Sequence, residues 1–220
     1  MSSEQASIDL VGSEVQQRYK RPFDLILLAL IHLALAPVWI LLWTLIPLLI
    51  WLGDRGPVFF VQERVGMGGR TFNIFKFRTM VEGAEDQTGP VWASGDDPRV
   101  TLIGGILRRT ALDELPQILN VWLGHMSLVG PRPERPELHA QIVANHPEFA
   151  QRLVGRPGIA GSAQVHGHYN LSPAQKLEYD LEYFRSMSPM LDMKLLLHAV
   201  GLGLLGKVDR RHGDSDPTSL

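Results

Sequence analysis

The chain contains no cysteine among its 220 residues. A disulfide framework, a thiol nucleophile and thiolate metal ligands are therefore excluded, which fits a reducing compartment. An excess of positive charge is also missing, because 21 Lys and Arg residues face 23 Asp and Glu residues, for a formal net charge of −2. We therefore expect no binding of nucleic acid through bulk positive charge.

Several catalytic sequence motifs are absent as well. The chain has no GxxxxGK[ST] phosphate loop and no serine nucleophile elbow. Its eight histidines do not show the spacing of a metalloprotease helix. The glycines of Gly66-Met67-Gly68-Gly69 lie between two alternating segments, so they indicate a turn rather than a dinucleotide-binding loop.

One long apolar run dominates the N-terminal part of the chain. From Leu25 to Leu52 the interruptions are few, namely His32, Thr44, Pro37 and Pro47. As one straight helix the run would be about 42 Å long, at about 1.5 Å per residue. A hydrocarbon core is about 30 Å thick. The run is thus either a tilted spanning helix or a re-entrant hairpin that enters and leaves by one face.

Two features favour the re-entrant hairpin. Pro37 lies near the middle of the run and is expected to break a helix there. Both flanks carry basic residues, whereas a spanning helix normally has them on its cytoplasmic side only. These residues are Lys20 and Arg21 before the run, and Arg55, Arg64 and Arg70 after it.

The remaining sequence predicts an α+β protein without a second soluble domain. Alternation predicts two hairpin strands at 57–65 and 71–78, followed by a polar loop at 82–98. Helices are predicted at 100–107, 113–122, 147–153 and 173–187, with loop and strand at 155–167. The apolar segment 191–205 is either a core helix or an interfacial one. We divide the chain into a polar lead (1–19), a membrane hairpin (20–54), a catalytic domain (55–206) and a disordered tail (207–220).

Two adjacent carboxylates, Asp113 and Glu114, are candidates for chemistry. Thr110 and Asp113 have the spacing of a helix capping box, which is a purely structural interpretation. Pro116 favours instead a helix that begins at Asp113, because proline is tolerated in a first helical turn. In both cases we expect Asp113 at a helix N-terminus, where free N–H groups favour a bound phosphate.

Basic residues near this pair are candidates for binding phosphate. Arg132 lies between Pro131 and Pro133, and proline restricts both its own φ angle and the residue before it. A guanidinium presented in this way can hold a phosphate through two hydrogen bonds. Further positive charge comes from Arg108 and Arg109 upstream, and from Lys76 and Arg78 at the end of the second predicted strand.

The chain resembles the monotopic phosphoglycosyl transferases, bacterial sugar transferases that begin lipid-linked glycan assembly. The resemblance extends in order from Lys20 to about Lys194. Its first matching segments are Lys20-Arg21-Pro22-Phe23-Asp24, Gly56-Pro57-Val58-Phe59-Phe60 and Phe75-Lys76-Phe77-Arg78-Thr79-Met80. The later ones are Leu112-Asp113-Glu114-Leu115-Pro116-Gln117, Asn120-Val121, Met126-Ser127-Leu128-Val129-Gly130-Pro131-Arg132-Pro133 and Arg156-Pro157-Gly158-Ile159.

The resemblance implies a reaction and its location. A sugar 1-phosphate would pass from a UDP-sugar to a polyprenol phosphate, with release of UMP, as the first membrane step of polysaccharide, lipopolysaccharide or glycoprotein glycan assembly. It implies a re-entrant membrane helix, interfacial amphipathic helices and a mainly helical catalytic domain on the cytoplasmic face of the bacterial inner membrane. It also implies bound Mg²⁺, and a homodimer is a further expectation.

The resemblance also implies roles for individual residues. Asp113 would be the nucleophile and a metal ligand, and Glu114 its partner, acting either as a base or as a positioner of the metal. Phosphate would be held by Arg108 and Arg132, assisted by Lys76 and Arg78. Gln164 and Asp180 are candidates for the nucleotide or sugar side of the site, and Pro37 for the helix break.

The chain departs from the family pattern at a few positions. Ala36 precedes Pro37 where the family often has serine, so a local hydrogen bond at the bend is missing. Ser162 replaces a common tryptophan, and His166 and His168 stand where Asn and Arg are often found. These last positions lie in a predicted loop facing the nucleotide or sugar, so the sequence does not identify the donor sugar.

Two other functions fit parts of the sequence. A membrane-associated pyrophosphatase would let water finish the reaction and would release free sugar phosphate instead of a lipid-linked product. A non-catalytic scaffold would use the hairpin only as an anchor, and it would tolerate replacement of Asp113 by Asn.

Overall fold

A computed structural model describes residues 16–84, 97–167 and 171–205 of the chain. Helices predominate over short strands, in agreement with the predicted α+β class. The α-helices are α1 (Arg21–Ala34), α2 (Ala36–Asp54), α3 (Leu102–Thr110), α4 (Gln117–Leu123), α5 (Pro136–Asn145), α6 (Ser162–His166), α7 (Pro173–Ser186) and α8 (Pro189–Leu204). The strands are β1 (Phe59–Val65), β2 (Thr71–Phe77), β3 (Ser127–Val129) and β4 (Gly158–Ala160).

The apolar N-terminal run is divided into two helices. Leu35 separates α1 from α2 with φ −110° and ψ 24°, and Pro37 lies in the first turn of α2. Proline fits this position because its missing N–H is not needed in a first turn, whereas inside a continuous helix it would remove a hydrogen bond. The break therefore occurs two residues before Pro37.

The break is packed against helix α4. The His32 ring stacks on Trp39 with 4.6 Å between ring centroids, and it meets the edge of Trp122 at 6.1 Å. At the start of α1, the Arg21 guanidinium donates hydrogen bonds to the carbonyl oxygens of Val121 and Trp122. Since these carbonyls lie at the end of α4, the cation satisfies groups that a helix terminus leaves without intrahelical partners.

Helix α2 is long and apolar enough to cross a membrane, judged by length and composition alone. It has 19 residues, or about 28 Å at about 1.5 Å per residue. Only 11% of its apolar window is buried inside the protein. The choice between a spanning and a re-entrant arrangement stays a prediction.

The two predicted hairpin strands are confirmed. Strands β1 and β2 pair antiparallel, with a register from Phe59 opposite Phe77 to Val65 opposite Thr71. The predicted turn is a short 3₁₀ segment in which Gly68 has φ 67°, a value that glycine adopts without steric cost. At the other end, Trp43 of α2 packs its ring against Phe77. The hairpin is thereby attached to the apolar helix.

A pair of three-residue strands, β3 and β4, lies in the centre of the main core. They run parallel, with Ser127 opposite Gly158 and Val129 opposite Ala160. The surrounding buried residues come from α1, β2, α4, α6, α7 and α8, and they include Leu28, Ile74, Val121, Val165, Phe184 and Leu195. The sequence did not predict β3 or α5. The prediction of loop and strand over 155–167 is confirmed at β4 but wrong at 162–166, which form α6.

Helix α8 is the apolar segment for which the sequence left a core helix and an interfacial helix open, and its contact with a membrane stays a prediction. Its Asp192, Leu195 and Gly203 are buried against the core. The opposite side carries exposed apolar side chains, namely Met190, Leu197, Val200 and Leu204. The helix thus packs on the core along one face and presents apolar surface along the other, as an interfacial helix does.

Some predicted boundaries differ from the structure, and others lie outside it. The helix predicted at 113–122 begins only at Gln117, and the one predicted at 100–107 runs from Leu102 to Thr110. The helix predicted at 147–153 is a 3₁₀ segment, Pro147–Val154. Most of the polar lead, part of the 82–98 loop and the 207–220 tail lie outside the described residues.

One buried side chain joins α4 to the hairpin. Asn120 is fully buried, its Nδ2 donates to the backbone oxygen of Asn73 at 2.7 Å, and its Oδ1 accepts from the N–H of Phe75 at 3.0 Å. The amide thus pairs with the free edge of β2 as a further strand would. Because Lys76 follows directly, this contact also positions a candidate site residue.

We expect Asn120→Leu to lower the free energy of unfolding by about 2–3 kcal/mol, because it leaves two buried backbone groups without partners. Thermal unfolding of the purified protein in detergent measures this. Asn145→Leu is the matched control, since that side chain is exposed and bonds only within its own helix. Equal destabilisation by both variants would contradict the role of Asn120.

Candidate active site

Asp113 and Glu114 lie in a single 3₁₀ turn, Leu112–Glu114, between helices α3 and α4. Ala111 ends α3 in the left-handed conformation with φ 57°. The Glu114 N–H donates to the Ala111 carbonyl at 3.1 Å. Pro116 has no N–H to donate to the carbonyl group four residues earlier, so the regular α-helix starts only after it.

The prediction that Asp113 lies at the N-terminus of an α-helix is wrong. The cap position of α4 is Pro116, and α4 has no side-chain cap. The capping box at Thr110 is wrong as well, because Thr110 lies inside α3 and its hydroxyl bonds back to the Ile106 carbonyl at 2.9 Å. The site therefore does not use the dipole of α4 at Asp113.

Glu114 joins three separate segments through its carboxylate. Lys76, near the end of β2, donates to Oε1 at 2.8 Å. Arg132, in the loop after β3, donates to both oxygens, at 2.5 Å to Oε1 and 3.2 Å to Oε2. This bidentate geometry is the strong form of an arginine–carboxylate contact. Three predicted site residues are thereby brought together.

Asp113 differs from its neighbour in having no such partner. Its side chain is buried, and within the described residues its carboxylate makes no hydrogen bond or ion pair. Burial raises the pKa of Asp113 to about 6, helped by the negative charge of Glu114 and opposed by Lys76, Arg132 and Arg108. Asp113 is thus a carboxylate with free oxygens among three cations.

The pKa of Glu114 moves the opposite way. Burial by itself would raise that pKa, but the charges and hydrogen bonds of Arg132 and Lys76 outweigh it and hold the pKa well below its usual range. Burial also lowers the pKa of Lys76, against the opposing effect of Glu114. Glu114 therefore stays ionised and is poorly suited to accept a proton.

The other predicted cations have different surroundings. Arg108, in the last turn of α3, donates from Nε to the Thr79 hydroxyl at 2.9 Å, and its charge acts on Asp113. Arg78 instead forms an ion pair with Asp54, the last residue of α2. Arg78 thus ties the hairpin to the apolar helix.

Of the two predicted nucleotide-side or sugar-side residues, Asp180 lies in a cluster that adjoins Arg132, and Gln164 lies on α6. Asp180 of α7 is buried and accepts from Arg152 at 2.8 Å, in a cluster that also contains Glu134. Burial raises the pKa of Asp180, while Arg152 opposes the shift. Gln164 lies on α6, and its Oε1 would be 2.7 Å from a Cβ atom added at Gly161.

Sequence reasoning missed two residues that support the site. Thr79 orients Arg108, and Asn120 holds the edge of β2 beside Lys76. Both belong to segments that carry the family resemblance, which is the only signal that pointed to them. Neither residue type suggests chemistry by itself.

Few side chains among the described residues could hold the predicted Mg²⁺ ion. Within the described residues, no group of three or more His, Cys, Asp or Glu side chains could hold a metal ion. Both oxygens of Glu114 already accept hydrogen bonds from cations, so of the two carboxylates Asp113 is the one whose oxygens would be available to a metal ion. This donor set suits Mg²⁺, which is often held by one or two carboxylates and completes its shell with substrate phosphates and water.

This chain is similar to two known proteins that are named for transfer of glucose phosphate to undecaprenyl phosphate. It is 43% identical over 192 residues to the undecaprenyl-phosphate glucose phosphotransferase of Komagataeibacter xylinus, covering 84% of this chain and 35% of that protein. It is 39% identical to the UDP-glucose:undecaprenyl-phosphate glucose-1-phosphate transferase of Escherichia coli (strain K12), over 89% of this chain and 42% of that protein. The chain thus spans well under half the length of these two relatives.

A shorter relative is matched over most of its length. The chain is 34% identical to the exopolysaccharide production protein ExoY of Sinorhizobium fredii (strain NBRC 101917 / NGR234), over 82% of this chain and 83% of that protein. The family model described as bacterial sugar transferase matches residues 15–205, which include the hairpin, the 3₁₀ turn and the Arg132 loop. This chain therefore belongs to the bacterial sugar transferase family.

Proposed function

We propose that the chain transfers a sugar 1-phosphate from a UDP-sugar to undecaprenyl phosphate, releasing UMP, through a covalent intermediate on Asp113. The observation that carries the proposal is the difference between two adjacent carboxylates. Glu114 is engaged by Lys76 and Arg132, whereas Asp113 has free oxygens beside the same cations. The names of the relatives support the substrates.

The chemistry takes place in two displacements. In the first, an Asp113 oxygen attacks the phosphorus that carries the sugar. A P–O bond forms, the bond to the bridging oxygen breaks, and UMP leaves with the electron pair. In the second, a phosphate oxygen of the acceptor attacks the same phosphorus and expels the Asp113 carboxylate. Covalent catalysis of this kind divides one difficult transfer into two easier steps.

Positive charge is needed because both substrates and the nucleophile are anionic. Lys76, Arg132 and Arg108 all act electrostatically on Asp113. Fixed cations of this kind stabilise the charge that develops on a transferring phosphoryl group. A Mg²⁺ ion held by Asp113 would add Lewis-acid polarisation of the phosphate oxygens.

Glu114 serves as the anchor of the cations rather than as a base. Both of its oxygens accept hydrogen bonds, and its pKa is held below the usual range. A general base should instead have a pKa near the working pH. An acceptor phosphate that is already ionised requires no base. The second displacement can therefore proceed although Glu114 does not accept a proton.

A membrane location follows from the lipid substrate. The exposed apolar surface of α2 and the exposed apolar side of α8 would enter the bilayer, with α1 and α2 forming a re-entrant hairpin and the site on the cytoplasmic face. The relatives are named for glucose and for N-acetylgalactosamine, so their names do not identify the donor sugar of this chain. Exopolysaccharide synthesis is the proposed pathway class.

The covalent step predicts a burst of UMP. Protein mixed with UDP-glucose or UDP-N-acetylgalactosamine and Mg²⁺, without acceptor, should release up to one UMP per active site. Intact-protein mass spectrometry should then show a sugar phosphate adduct. Asp113→Asn should lose the burst and should slow transfer by on the order of 10³-fold or more. Full lipid-linked product from Asp113→Asn would refute the nucleophile, and free sugar phosphate as the main product would identify a hydrolase.

The burst should depend on pH through Asp113. A protonated carboxyl group cannot attack phosphorus, so the rate constant of the UMP burst at subsaturating donor should rise through about pH 6 and level off above it. Omitting the acceptor keeps its own phosphate titration out of the profile. In Glu114→Gln the midpoint should fall below pH 6, because a charge that raises the Asp113 pKa is removed. The plateau should fall too, since Lys76 and Arg132 can then engage Asp113.

Glu148→Gln is the matched control, because Glu148 is exposed and lies outside the site. Its midpoint and plateau should equal those of the wild type. A midpoint in Glu114→Gln that is unchanged or higher would contradict the electrostatic coupling of the two carboxylates.

The re-entrant arrangement is tested by labelling, which the absence of cysteine makes simple. Single cysteines at Ser13 and Gly69 in sealed inverted vesicles should both react with an impermeant thiol reagent from the same side. Labelling of the two positions from opposite sides would show a spanning helix instead.

A further inference from the structure

Lys20 is a buried cation at the base of the membrane helix. The sequence suggests a basic flank, but Lys20 is only 1% exposed. Its Nζ lies 3.0 Å from Asp24 Oδ1 and 2.9 Å from Asp192 Oδ2. Because both contacts are inside the protein, this charge does not face solvent or lipid headgroups.

The two carboxyl groups continue the network toward strand β3. Asp24 Oδ2 lies 2.7 Å from the Ser127 hydroxyl, and Asp192 Oδ1 accepts from the Tyr183 hydroxyl at 2.7 Å. Both hydroxyls also approach the carbonyl oxygen of Val129, at 2.8 Å from Ser127 and 3.3 Å from Tyr183. The network therefore surrounds the end of β3.

The end of β3 determines the position of the loop that carries Arg132. Val129 is followed by Gly130 and Pro131, and the Arg132 guanidinium then reaches Glu114. Strand β4 supports this segment on one side, since the Gly130 N–H donates to the Ala160 carbonyl at 2.9 Å. The Lys20 network supplies a second support, and one of its members belongs to α1.

The number of protons available for hydrogen bonds indicates which of Lys20, Asp24 and Asp192 are charged. Lys20 with two ionised aspartates would leave a net negative charge, although all three residues are at most 1% exposed. The hydroxyl of the partly buried Tyr19 is a further neutral donor to Asp192 Oδ2, at 3.3 Å. The single Ser127 proton would also face two acceptors. With Asp24 protonated, its O–H donates to Ser127, Ser127 donates to Val129, and Lys20 pairs with ionised Asp192. The network then has no net charge, and each hydroxyl has an acceptor, as burial requires.

We propose that Lys20, Asp24 and Asp192 are positioning residues. An ionised Lys20–Asp192 pair and a neutral Asp24 carboxyl group hold the end of β3 and thereby fix where Arg132 meets Glu114. The membrane helix thus takes part in shaping the phosphate-binding side of the site. The activity tests of this inference rest on the proposed transferase function.

The first test compares conservative substitutions. Asp24→Asn should keep most of the transfer rate, because an amide can donate to Ser127 and accept from Lys20 as the neutral acid does. Asp192→Asn and Lys20→Met should each lower kcat/KM by about 10- to 100-fold, the scale of a small misplacement of a binding group. Lys194→Met, an exposed lysine on the same helix as Asp192, is the control and should have no effect.

The double variant Lys20→Met with Asp192→Asn tests whether removing both charges restores stability. Removing both partners leaves no lone buried charge, so it should be more stable than either single variant. If Asp24→Asn is as damaging as Asp192→Asn, or if the double variant is the least stable, the assigned charge states are wrong.

The second test separates positioning from a general loss of stability. If Lys20 acts through Arg132, then Lys20→Met should cost no further activity in an Arg132→Ala background, although it should lower the midpoint of thermal unfolding equally in both backgrounds. Independent effects would instead multiply, to within about twofold. Multiplied losses in kcat/KM would overturn the positioning role.

A third measurement does not depend on substrate. The infrared difference spectrum of wild type minus Asp24→Asn at neutral pH should contain the C=O band of a protonated carboxylic acid. Its absence would overturn the neutral Asp24. Its presence in a protein that forms no lipid-linked product would leave the network standing and refute only the proposed transferase function.

Discussion

The contact of Glu114 with Lys76 and Arg132 is the constraint on which the site depends. The three residues come from a 3₁₀ turn, a hairpin strand and a proline-bounded loop, and Glu114 is 38 residues from Lys76 and 18 from Arg132. Taking one of these charges away would leave the others buried without full compensation, which is costly. The carboxylate therefore holds both cations, which we propose to bind phosphate, in place without any substrate.

The same contact gives the two neighbouring carboxylates different properties. Glu114 uses its oxygens to hold the cations and has a lowered pKa. Asp113 is close to those cations without bonding to them, and burial raises its pKa. In the proposed reaction, an ionised Asp113 in this positive environment would attack phosphorus. Two adjacent acids of similar chemistry have different pKa values because only one of them bonds to the cations.

The apolar N-terminal helices are fixed to the rest of the protein by ionic contacts at both ends. Lys20 reaches Asp192 of α8, and Arg21 bonds to carbonyl groups at the end of α4. Asp54 at the other end pairs with Arg78 after β2. Because β2 also carries Lys76, the position of the membrane segment and the geometry of the site are linked. Such a link suits a reaction between a soluble nucleotide and a lipid phosphate.

Alternation, hydropathy and the family motifs are local signals, so they sufficed to predict the hairpin, the apolar run and the set Lys76, Glu114 and Arg132. They also named Arg78, which pairs with Asp54 instead. The sequence did not predict β3, since three residues are too few to show a period. It also placed Asp113 at an α-helix terminus, where a 3₁₀ turn stands. No local signal shows that both oxygens of Glu114 accept hydrogen bonds from cations or that Lys20 is buried, because both facts depend on contacts between segments distant in the chain.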